Sequence, residues 1–288
     1  MAGPIAHIML ALSILPKNLP DTAVREFILG SSFPDIRYIS KNIKREDTHF
    51  KNITLEIVTQ KIQEKSFFQA GVLFHSLVDE LRDWYMNKKN VYKIMPHTEN
   101  AVRAIKFLED NILYEKIKNI DQVIQYFDTI LDEEIFFCTN KSFDQELCKN
   151  NNNNPACDNN NYYACACSKS NLKNFYYKCH SCKNNIKNWH KLMKTYCEKK
   201  MDPQHRLVCY LLLKYPNLPK WIIQIIAFIA FWLKILPQNF LRTIEVINEC
   251  EKNEKLLKII DNFYDNFEDV YKNYQDQDAQ KYLIVTTK

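Results

Sequence analysis

Glycine is almost missing: the 288-residue chain holds three, Gly3, Gly30 and Gly71. So small a supply nearly excludes folds that need many tight turns or Gly-rich phosphate loops, and most β-sandwiches and nucleotide-binding α/β folds go with them. Charge of one sign is also lacking. The chain's 39 Lys and Arg are intermixed with 34 Asp and Glu, so the formal charge of +5 offers no basic block of the kind that carries nucleic-acid binding. Long apolar runs are scarce as well. Trp221 to Leu236, interrupted by Gln224 and Lys234, gives sixteen residues, and a helix of that length rises about 24 Å against a hydrocarbon core of about 30 Å. A central core helix is the ordinary reading of such a run, and a lipid-contacting interfacial helix is the alternative. Met1 to Leu15 lacks a basic n-region and a small-residue cleavage site, so it is expected to be a helix of the mature chain rather than a signal peptide.

What is present is helical periodicity over a chain with 46% hydrophobic and 13% aromatic residues, enough to bury a sizeable core. Ile5, Ile8, Met9, Leu12 and Leu15 form one stripe that Pro16 ends. Asp21 is expected to cap a helix to about Leu29, with Gly30 as its C-terminal stop. Residues 31–48 read as a loop. Helices are expected over 52–64, 66–88, from Thr98 through Leu113, over 121–137, and repeatedly from Ile186 onward. Aromatics recur at helical spacing, which places them in a core rather than on a stacking platform for bases. Between Cys138 and Asn184 the composition shifts to Asn runs and clustered cysteines, which cannot bury an apolar face. The class is therefore all-α: a multi-helix bundle with helical regions 1–137 and 185–288 around a Cys/Asn-rich insertion, 138–184. Clustering of the cysteines in one segment argues against a secreted disulfide framework and for a cytoplasmic location, with peripheral membrane contact left open.

Four of the seven histidines, His7, His49, His75 and His97, fall in the first hundred residues. His75 and Asp79 stand four apart in a helical segment, so both emerge on one face within reach of a single cation, and Asp83 continues that row. Asp35 follows Pro34 in G-S-S-F-P-D, and His49 lies in D-T-H-F. Each has an ordinary explanation: an exposed i, i+4 pair for His75 and Asp79, a satisfied core histidine for His7, an Asx turn for Asp35. Taken together, so many costly polar groups among apolar helices ask for a metal.

The pieces G-P-I-A-H, L-G-S-S-F-P-D-I, D-T-H-F and F-Q-A-G-V-L-F-H-S-L-V-D, over residues 3–85, resemble the zinc-dependent phospholipase C family. That family includes the catalytic domain of glycosylphosphatidylinositol-specific phospholipase D and shares its fold with the S1/P1 nucleases. The resemblance implies an all-α bundle, one to three Zn2+ ions and phosphodiester hydrolysis. It implies Asp35, His49, His75 and Asp79 as ligands of a first ion, Asp79 as a bridge, and His7 on a neighbouring ion whose shell the N-terminal amine completes; removal of Met1 would leave Ala2 there. It also implies Asp35 as catalytic base, a phospholipid substrate or membrane surface as partner, and no specific nucleic acid. A third ion would draw on Asp83 and His97, but Ala101 stands where a carboxylate belongs, so two or fewer are expected if that site is lost. A non-catalytic relic with a structural metal and a P1-type nuclease are the competing readings. Separately, Cys165, Cys167, Cys179 and Cys182 have roughly the spacing of a structural zinc knuckle, with disulfides or free thiols as alternatives.

Overall fold

A computed structural model of the chain describes residues 2–40, 43–96, 98–140, 172–200 and 202–285. Among the described residues the secondary structure is fourteen α-helices and three short 3-10 turns, with no strand, so the class is all-α as the periodicity predicts. The first eight helices are α1 (Pro4–Ile14), α2 (Asp21–Ser32), α3 (Leu55–Gln63), α4 (Phe67–Lys88), α5 (Val91–Ile94), α6 (Ala101–Leu113), α7 (Ile120–Tyr126) and α8 (Asp132–Asn140). They are followed by α9 (Leu172–Cys197), α10 (Pro203–Lys214), α11 (Lys220–Trp232), α12 (Gln238–Cys250), α13 (Glu254–Asp265) and α14 (Phe267–Val285). Side-chain caps start several of them: Thr54 accepts from the Ile57 N–H at α3, Asp202 from His205 at α10, and Asn253 from Leu256 at α13.

Helix α4 is the centre of the bundle, buried on more than one side, and α2 is the neighbour it packs against most extensively. Two glycines set that crossing. A Cβ at Gly71 would sit 2.2 Å from the Phe27 carbonyl oxygen, and one at Gly30 would sit 2.1 Å from that of Phe68. The absence of side chains lets the two backbones touch. Gly30 is therefore a packing residue and not the expected helix stop. A stop of that kind uses a positive φ, which no glycine here adopts, and α2 continues through Ser32 into the 3-10 turn Phe33–Tyr38.

The third glycine serves another close approach. Gly3 precedes α1 without a side-chain cap, and Asp110 of α6 supplies one from across the bundle, accepting from the Ala6 N–H at 3.0 Å. A Cβ on Gly3 would lie 2.1 Å from an Asp110 oxygen. Tyr196 of α9 donates to that same oxygen, Oδ2, at 2.7 Å, while Ala6 uses Oδ1, so one carboxyl ties α1, α6 and α9 together. Beside it, the fully buried Arg82 of α4 forms an ion pair with the fully buried Glu109 of α6 at 2.9 Å. His190 of α9 meets Glu134 of α8 at 2.7 Å.

Three expectations change. Residues 121–137 form two helices, α7 and the start of α8, separated by a turn at 127–131. The boundaries drawn for the insertion are crossed by helix on both sides, because α8 runs to Asn140 and α9 begins at Leu172. The apolar run at 221–236 is not a central core helix: α11 buries only Ile223 and Ala227 fully, while Trp221, Phe228 and Trp232 are 62%, 59% and 75% exposed. Among the described residues, no helix is long and apolar enough to cross a membrane.

Two outcomes follow from this packing. Gly71→Ala should cost about 3 kcal/mol, since the clash is with backbone that cannot rotate away, and should lower Tm by roughly 5–10 °C in a thermal melt. Burial pushes the Asp110 carboxyl from its ordinary 3.8 up to about 7, despite the hydrogen bonds from Tyr196 and Ala6. A carboxyl raised on folding gives stability that is full below its unfolded value and lost as pH rises through its folded value. Melts of wild type and Asp110→Asn between about pH 4 and about pH 8 should therefore show the wild type losing ground as pH rises.

Candidate metal centre

The centre is built on α4. His75 and Asp79 lie one turn apart on the face that meets α1, α2 and the 31–49 segment. The glycine crossing brings the end of α2 against α4, and there His75 Nδ1 donates to the Ser31 carbonyl oxygen at 2.8 Å. A carbonyl can only accept, so the proton is fixed on Nδ1 and the lone pair of Nε2 points into the cluster. Burial, helped by the neighbouring His7, holds the His75 imidazole well below its ordinary value, so it is neutral. His49 is held through its Nδ1, which meets Thr48 Oγ1 at 2.8 Å, and the same hydroxyl lies 3.3 Å from the Arg45 carbonyl.

The His75 and His49 Nε2 atoms face each other at 3.3 Å, with the His75 lone pair aimed at His49. A proton on His49 Nε2 satisfies that contact, and so does a cation held between the two nitrogens. Two nitrogens each about 2.1 Å from one ion and 3.3 Å apart subtend about 104°, close to a tetrahedral angle. His7 adds a second signal. Its ring stacks on His75 with centroids 3.8 Å apart, it is 1% exposed, and neither of its nitrogens has a hydrogen-bond partner. A buried ring whose nearest polar neighbour is a carboxylate oxygen 3.4 Å from Nε2 is poorly satisfied for an apolar core and fits a ligand.

Asp79, 3% exposed, divides its two oxygens between these rings. Oδ1 accepts from the Ala2 N–H at 2.7 Å and lies 3.4 Å from His7 Nε2, while Oδ2 lies 3.5 Å from His49 Nε2 and 3.9 Å from His75 Nε2. Burial alone would raise this carboxyl, but His49, His7 and His75 outweigh it and hold Asp79 well below the ordinary carboxylate range. Asp35, in the 3-10 turn after α2, comes within ligand reach of His49 and His75. The donor atoms thus fall into two sets that share His75: His7, His75 and Asp79, and Asp35, His49 and His75. Imidazole nitrogens with carboxylate oxygens are the donor set of a zinc-type site.

Not every expected ligand joins them. Asp83 is 53% exposed and faces Arg82 Nη1 at 3.4 Å. A row at i, i+4, i+8 drifts about 40° around the helix per step, so the third member leaves the face that the first two share. His97, Cys165 and Cys167 lie outside the described residues, as does the side chain of Cys179. Cys182 is half-buried in α9 and engages Cys138 of α8, whose thiol is pushed up by that hydrogen bond and by burial.

Several members carried no signal in the sequence. Arg37 Nη2 lies 3.3 Å from Asp35 Oδ1, and Arg45 Nη2 lies 3.4 Å from Asp79 Oδ2 with its side chain 45% exposed. Lys106 of α6 senses both Asp35 and Asp79, with burial lowering its ammonium from the ordinary lysine value. Burial and the charge of Asp35 push the Tyr38 hydroxyl up to about 12. The centre therefore has a cationic rim around an imidazole and carboxylate floor. Comparison with protein-family models, with characterised proteins and with solved structures found no match for the chain.

Zinc added to metal-free protein should raise Tm, and saturation at a hundred times Kd corresponds to about 2.7 kcal/mol. His75→Ala, which removes the nitrogen common to both donor sets, should abolish that response. A wild-type melt unmoved by zinc or by a chelator would remove the metal premise.

Proposed function

We propose that the chain is a metal-dependent phosphodiester hydrolase of the phospholipase C type, acting on a phospholipid head group. The observation that carries the reading is the paired donor sets that share His75: Nε2 atoms of His75 and His49 3.3 Å apart, the buried His7 ring stacked on His75, and the Asp79 carboxylate divided between the rings. The resemblance to the zinc-dependent phospholipases over residues 3–85 supplies the reaction class, and one to three Zn2+ ions are the cofactor. When bound, divalent ions supply Lewis-acid polarisation of a phosphoryl oxygen and lower the pKa of a bound water.

The chain's own residues supply the rest. His7, His49, His75 and Asp79 hold the ions in place. Asp35 sits on a turn at the edge of the cluster and is the ligand and general base, taking the proton from the attacking water. Arg45 and Arg37, whose guanidiniums rest on Asp79 and Asp35, are placed to hold the non-bridging oxygens of a phosphodiester. A lipid is favoured over nucleic acid because the charge is mixed and an exposed apolar helix is present. Cys197, Cys209 and Cys250 are buried outside any disulfide, in keeping with a cytoplasmic setting.

A second reading, a purely structural ion, is favoured by one observation: His7 and His75 are each 1% exposed, deeper than a substrate reaches. Metal counting and turnover separate the two. With zinc restored, wild type should hydrolyse phosphatidylcholine in preference to single-stranded DNA, His75→Ala should have no activity, and Cys179→Ala should keep most of it. Asp35→Asn should lose roughly a hundredfold or more in kcat. Equal rates in wild type and His75→Ala would refute the assignment, and bound zinc without turnover of either substrate would favour the structural ion.

A further inference from the structure

Helix α11 carries an apolar face that no other part of the described chain covers. Trp221, Ile225, Phe228, Ile229 and Trp232 follow one another at helical spacing and are 48–75% exposed. Ile235, 69% exposed, extends the row past the helix end. Singly exposed apolar residues are ordinary, but a continuous stripe on one helix marks a surface made to be covered. The end of the helix is built to keep that stripe outward. Ile235 N–H reaches back to the Ala230 carbonyl at 2.8 Å and Lys234 N–H to that of Phe231 at 3.2 Å, with Lys234 at a φ of 57°. This closure satisfies the last carbonyls and turns Lys234 and Ile235 away from the body.

Charge around the stripe selects what covers it. The sequence holds no Asp or Glu between Asp202 and Glu245. Lys214, Lys234 and Arg242 are exposed, and Lys220 is half-buried against Glu198. Lys220 opens the helix beside Trp221, Lys214 closes the preceding helix α10 with its ammonium over the Tyr215 ring, and Lys234 follows the end of α11 two residues after Trp232. An aromatic with a lysine at each end is the arrangement suited to the boundary between acyl chains and headgroups. The thirteen residues of α11 span about 20 Å, so the helix lies in the plane of a bilayer surface instead of crossing it. A second copy is a poor occupant. Antiparallel pairing of two such helices would bring the lysines at the start of one against Lys234 of the other.

We infer that α11 is a membrane-docking helix that seats its Trp221–Trp232 face in the interface of a bilayer carrying anionic phospholipid, with Lys214 and Lys234 on the headgroups. This rests on the lipid-directed reading above for its purpose, and its test reads binding without turnover. The full-length protein, stripped of metal by chelation so that hydrolysis cannot interfere, is co-sedimented with phosphatidylcholine vesicles and with mixed phosphatidylcholine–phosphatidylserine vesicles. Wild type should bind the mixed vesicles more tightly, and brominated lipid should quench its tryptophan fluorescence. Ile225→Ser/Phe228→Ser/Trp232→Ser should lose about a hundredfold in binding, with an unchanged melt because these side chains are exposed. Lys214→Glu/Lys234→Glu should lose about fivefold or more per lysine on mixed vesicles only. The inference is overturned if wild type fails to sediment with either vesicle, if the serine variant binds as wild type does, or if wild type forms a dimer that the serine variant dissolves. Binding without hydrolysis after zinc is restored would leave the docking helix standing and remove the phospholipase reading.

Discussion

The contact of α2 with α4 at Gly30 and Gly71 governs the architecture of the centre. Backbone meets backbone there, with room for a hydrogen atom and none for a methyl group. The same closeness carries the end of α2 to within hydrogen-bond distance of His75, and the Ser31 carbonyl then decides which nitrogen of that ring bears the proton. Glycine is placed for packing, packing orients a carbonyl, and the carbonyl fixes a tautomer. A protein with three glycines has put two of them at this one crossing.

Around that crossing, buried polar groups are generally matched in pairs. Arg82 has Glu109, His190 has Glu134, and Asp110 has both the first turn of α1 and the Tyr196 hydroxyl. The His7, His49 and His75 cluster departs from this habit: three buried imidazoles converge on one carboxylate, Asp79, with two of their nitrogens facing each other. Desolvation makes unmatched groups expensive, so their concentration at one place is what distinguishes a site from a core.

Much of the helical frame was legible in the sequence, because periodicity and proline mark helices wherever one face is buried. The i, i+4 pair of His75 and Asp79 was legible for the same reason, since both residues belong to one helix. Asp83 shows where the rule fails: each step along such a row rotates away from the first, and local spacing cannot say which side neighbours will cover. Gly30 shows a similar limit. A cap glycine and a packing glycine look identical in sequence, and only the approach of α4 tells them apart. The apolar run at Trp221 read most naturally as core, yet its exposure depends on how few elements reach that flank. Arg37, Arg45 and Lys106 gave no signal, since charged residues in a loop or on a helix are ordinary until carboxylates from distant segments arrive beside them.

His75 joins both donor sets, but its Nδ1 is committed to Ser31, so it has a single nitrogen to give. The sets therefore cannot both be completed by the same ring. A cation that took this nitrogen would leave the other set with two donors, either Asp35 and His49 or His7 and Asp79. Two such positions would differ in strength, and the occupant that held the ring would enter first.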